Sequence, residues 1–170
     1  MERGVGGMRG LRVRAVAGAV VAVAAVVVGG GTAVAVGGAG APGPEADLAY
    51  HGAASLAGGM VDVRFTPHNH GPAAVPDATV RLQWSEPLVD EQALPQGCAR
   101  SAERVVLCRV GALAADGVGE RVAMRVRLRG APSEVLLEID TVWNGGTVDR
   151  NRENDLQQVL VLDSGDQYYF

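Results

Sequence analysis

No lysine occurs among the 170 residues; all 15 basic residues are arginine. That absence removes Schiff-base chemistry on a lysine amine, the phosphate-gripping lysine of nucleotide-binding loops, and lysine–asparagine isopeptide crosslinks. Aromatic residues are scarce, with two Trp, three Tyr and two Phe, so any core must be built mainly from Val, Leu, Ile and Ala. Five serines and three histidines leave few nucleophile–base combinations. Beyond residue 35 the sequence contains no Gly-x-Ser-x-Gly elbow, no His-Glu-x-x-His, and no Gly-x-Gly-x-x-Gly following a strand. The chain is therefore read as a non-enzyme.

Charge is missing from one long stretch. Arg3, Arg9, Arg12 and Arg14 form a basic start, and no further charge occurs until Glu45. Between them runs an Ala/Val/Gly segment ending in the small-residue triplet Ala33-Val34-Ala35. Basic start, apolar centre and small-residue end are the order of a secretory signal. The reading is a signal peptide over residues 1–35, with cleavage alternatives to residue 39. A flexible Gly/Ala/Pro linker follows over 36–46. The alternative is an uncleaved anchor, since the 22 apolar or small residues from Ala15 to Val36 exceed the ~20 needed to cross a bilayer. Membrane association is expected only in that case.

Loss of residues 1–35 removes four arginines and one glutamate, moving the formal net charge from −4 to −7. An acidic chain without clustered cations is a poor ligand for nucleic acid. The expected location is secreted or on the extracytoplasmic cell surface, and the expected partner is a protein of the cell envelope or extracellular space. In an exported chain the two cysteines, Cys98 and Cys108, read most simply as one disulfide.

Beyond Asp47 the hydrophobic period is two. Val61, Val63 and Phe65 alternate with Asp62 and Arg64, and Val80, Leu82 and Trp84 alternate with Arg81 and Gln83. Val122, Met124, Val126 and Leu128 alternate with Arg125, Arg127 and Arg129; Val135, Leu137 and Ile139 alternate with Glu134, Glu138 and Asp140. With residues 47–51, 104–110 and 156–162 these make about seven half-buried strands and no amphipathic helix. The fold class is all-β, an immunoglobulin-like antiparallel sandwich over residues 47–163. Trp84 and Trp143 are its expected large anchors. Residues 164–170 form an aromatic tail that either packs back on the sandwich or stands out as a contact. Residues 130–133 read as a hairpin loop setting Arg129 opposite Glu134 and Arg125 opposite Glu138, a balanced solvent face.

Three fragments in order, NHGPAAVPDATVRLQW, CARSAERVVLCRVGAL and DRNRENDLQQVLVL, resemble the immunoglobulin-like repeats of bacterial surface proteins. That family is labelled domain of unknown function eleven and is similar to the cell-adhesion-related domain of bacteria. The resemblance implies a seven-stranded sandwich on the cell surface or secreted, and it carries over no catalytic residues. The repeats usually occur in tandem, whereas this chain holds one copy, which departs from a stalk or spacer role.

The first fragment opens on a turn motif. Asn69 can bond the backbone two residues on, Gly71 can take positive φ, and Pro72 fixes the exit. Within the resemblance, His68 and His70 fall on variable positions and read as turn decoration. Zinc needs three or four ligands, and only His51 and scattered carboxylates could join the pair, so no metal and no cofactor is expected. In the closing Asx-rich loop of Asp149, Asn151, Asn154 and Asp155, the alternation of Asp149, Asn151, Glu153 and Asp155 imitates a calcium loop. The sixth and twelfth positions are Asn154 and Leu160, where that loop needs Gly and a bidentate Glu. These side chains are read as satisfying backbone groups before the last strand. The whole is an exported structural or protein-interaction module; the alternative is an extracytoplasmic small-molecule or metal-binding protein.

Overall fold

The computed structural model describes residues 43–170. The signal, its cleavage positions and most of the linker lie outside the described residues. Ten strands follow one another: β1 (Leu48–Ala57), β2 (Met60–Asn69), β3 (Val75–Trp84), β4 (Cys98–Ala102), β5 (Val105–Leu113), β6 (Gly117–Val118), β7 (Val122–Arg127), β8 (Glu134–Trp143), β9 (Leu156–Leu162) and β10 (Tyr168–Tyr169). There is no helix among the described residues.

The seven expected runs are all strands. The three extra elements, β4, β6 and β10, are five residues or fewer, too short to show a period. β1 continues well past the expected residue 51, through Gly-Ala-Ala-Ser-Leu-Ala. Small residues hide the alternation there, and they are needed. A Cβ on Gly52 would lie 2.2 Å from the Arg64 carbonyl oxygen and 2.8 Å from the Phe170 ring.

Two antiparallel sheets form. In one, β10, β1 and β2 lie side by side, and the far edge of β2 pairs with β7 at one end and β6 at the other. The second runs β4-β5-β3-β8-β9. Their inner faces share one core: Tyr50, Leu56, Val61 and Phe65 from the first sheet meet Leu82, Trp84, Leu137 and Ile139 from the second. Alternation is the cause, because on β2 and β8 every second residue is buried. Tyr50 and Phe65 meet edge to face at 5.8 Å, a favoured aromatic geometry.

Two expectations are corrected. Trp84 is a core anchor at 1 % exposure, but Trp143 is 51 % exposed. The β3–β8 register slips between Thr79 and Val80, and this bulge lies where β8 ends, so Trp143 is turned out of the sandwich. The β7–β8 hairpin does not form either. β7 pairs with β2 in one sheet, and β8 joins the other. Leu128 donates its N–H to the Gly59 carbonyl, Gly130 adopts φ +90°, and Pro132 follows, carrying the chain across the core. Arg125 therefore meets Asp62 at 2.7 Å, and Arg129 reaches Asp90 and Glu103. The arginine face is balanced by other carboxylates than those of a hairpin.

Candidate functional site

The turn motif is a clamp. Asn69 is fully buried. Its Oδ1 accepts from the Asp47 and Gly71 N–H groups, both at 3.1 Å, and its Nδ2 donates to the Ala73 and Ala114 carbonyls at 2.8 and 2.9 Å. Gly71 does donate its N–H to the Asn69 side chain two residues back, but it is not among the positive-φ residues. Glycine is required there for space: a Cβ would lie 2.4 Å from the Glu45 carbonyl oxygen. Pro72 follows in the bend that leads towards β3.

The Asx-rich loop closes the same end of the sandwich. Asp149 Oδ2 accepts from the Leu48 N–H at 2.8 Å and its Oδ1 from the Asn151 N–H at 3.0 Å. Asn151 and Asn154 both donate their amides to Asp47 Oδ1. Asp155 is fully buried, with Arg152 Nη1 2.9 Å from Oδ2. Burial pushes its carboxyl up to about 6, against the pull of Arg152. Nearby, the buried Tyr50 hydroxyl is hydrogen-bonded to Thr141, and burial raises its pKa despite that bond. The loop thus serves backbone and core.

Cys98 and Cys108 are joined in a disulfide, with Cα atoms 4.0 Å apart. They sit directly opposite each other on β4 and β5. Sequence reasoning foresaw the bond but not the strand β4 that carries its first half.

Two surface features need the third dimension to be seen. The first is β9, an edge strand whose seven residues, LQQVLVL, hold no charge and no proline. On its outer face Leu156, Leu160 and Leu162 are 47, 51 and 43 % exposed. Leu136 lies opposite Leu160 on β8, and Val142 and Trp143 are exposed beyond. The strand itself was foreseen; its edge position was not.

The second is a cluster of all three histidines. His68 and His70 flank Asn69, so period two turns both rings outward while the amide turns in. On β1, His51 pairs with Thr66 and Ala49 pairs with His68, which sets His51 diagonally across from His68. The ring centroids are 4.9 Å (His51–His68), 6.2 Å (His51–His70) and 5.6 Å (His68–His70) apart. Burial, then repulsion from His51 and His70, holds the His68 imidazole below its ordinary pKa. Sequence reasoning named His51 as the one histidine that could join the pair; the β1–β2 register brings it there. His51 also lines an open groove of about 380 Å³ with Arg64, Thr66, Arg121, Tyr169 and Phe170. The aromatic tail packs back on the sheet, β10 pairing with β1 and Phe170 exchanging two backbone hydrogen bonds with Gly52.

Compared with known proteins, the chain matches no family model and no curated protein.

Proposed function

We propose that this chain is an exported, immunoglobulin-like module that binds another protein and performs no catalysis. The observation that supports it best is the β9 edge with its exposed leucines. Soluble sandwiches guard edge strands with charges, prolines or short lengths, because an open edge is a template for another chain. β9 has none of these guards across its seven residues. A partner strand could add to its free edge, with the outer leucines supplying side-chain pockets. The disulfide fits an oxidising compartment outside the cytoplasm, in line with the signal-like N-terminus.

The test is photo-crosslinking in intact producing cells, with a benzophenone amino acid at Leu160 and, as control, at Arg125 on the opposite sheet. The reading predicts a discrete protein adduct from Leu160 alone. Absence of any adduct at Leu160, or equal adducts from both positions, overturns it.

A further inference from the structure

Three imidazoles, one on β1, one on β2 and one on the residue that follows β2, converge on one outer sheet face. We propose that His51, His68 and His70 form a surface site for one divalent transition-metal ion of the imidazole-preferring class, Zn²⁺ or Cu²⁺. Every pair of their candidate ligand nitrogens lies within 4.8 Å. Bound to one ion at ~2.0–2.1 Å, tetrahedral ligands sit roughly 3.3 Å apart, so the rings must close by at most about 1.5 Å. Side-chain rotation suffices for that, because His51 and His70 are exposed and His68 is half-buried.

The backbone beneath is already held. Asn69, between two of the ligands, is buried and makes four hydrogen bonds. The His70 N–H donates to the Asp47 carbonyl at 2.8 Å, which ties that residue to the start of β1. Ala49, opposite His68 on the outer face, presents only a methyl group and leaves the space above it to the rings. Binding would therefore order three side chains and little else, which keeps its entropic cost small.

The donor set selects the ion. Three imidazoles with no carboxylate suit Zn²⁺ and Cu²⁺, with Cu²⁺ the tighter, and disfavour Ca²⁺ and Mg²⁺, which take oxygen ligands. Three protein ligands leave a fourth position open.

The test uses tag-free full-length protein titrated calorimetrically with ZnCl₂ and, separately, with CuSO₄, CaCl₂ and MgCl₂. One Zn²⁺ or Cu²⁺ per chain is expected, with no heat from Ca²⁺ or Mg²⁺. His51→Ala should weaken Zn²⁺ binding at least tenfold, as should His70→Ala, while the metal-free melting temperature stays within about two degrees. His51 is the decisive position, since an adjacent-pair site at His68 and His70 would not need it. Nuclear magnetic resonance of the imidazole nitrogens should show all three rings shifting with Zn²⁺. No stoichiometric binding, or binding indifferent to His51→Ala, overturns the proposal.

Discussion

Asn69 shows how one side chain can hold an end of a sandwich. Its amide serves two N–H groups and two carbonyls from three chain segments. Asn69→Ala would leave those groups buried without partners, and each unmet group costs about 1–3 kcal/mol. A loss of about 2–4 kcal/mol in urea unfolding is the expected result. Asp155 offers a pH test. Its carboxyl stands near 6 in the folded protein, above the ordinary 3.8. Between those values the folded chain holds a proton that the unfolded chain releases, so the contribution of Asp155 to stability falls as pH rises through that window. Melting temperatures from pH 4 to 8 should show this decline in the parent and a flatter profile in Asp155→Asn. An identical profile in both would place the titration elsewhere. At this scale the sequence was partly legible. The bond from Asn69 to residue 71 follows from local turn chemistry, whereas the reach of its Nδ2 to Ala114 spans 45 residues and follows only from the fold.

Strands were legible where side-chain contrast was strong, as on β2, β3 and β8. β1 was cut short because glycine and alanine carry little contrast, and β7 was given the wrong partner. Charge alternation states that an arginine strand wants carboxylates opposite; it does not say which sheet supplies them. Arg125 should therefore couple measurably with Asp62 in a double-mutant cycle and show no coupling with Glu138, the reverse of what a β7–β8 hairpin would produce. Across the core, Leu137 on β8 is wholly buried among residues of both sheets. Leu137→Ala should cost about 2–5 kcal/mol, the range for leucine truncation in a packed interior. The histidine cluster belongs to the same lesson: an H-x-H pair is visible on one strand, while its third member depends on register between two.

For the molecule as a whole, the proposed export would link oxidation to folding. The disulfide ties β4 to β5, and closing so short a loop contributes about 2–3 kcal/mol by limiting the unfolded chain, a large share of a total near 5–15 kcal/mol. A domain with few aromatics in its core gains much from such a staple. Intact-mass spectrometry of the protein recovered from outside the cytoplasm, alkylated after unfolding without reductant, tests that account most directly. The account predicts a chain beginning between Val36 and Gly40 that takes up no alkyl groups. A chain that begins at Met1 and carries two alkyl groups would contradict it.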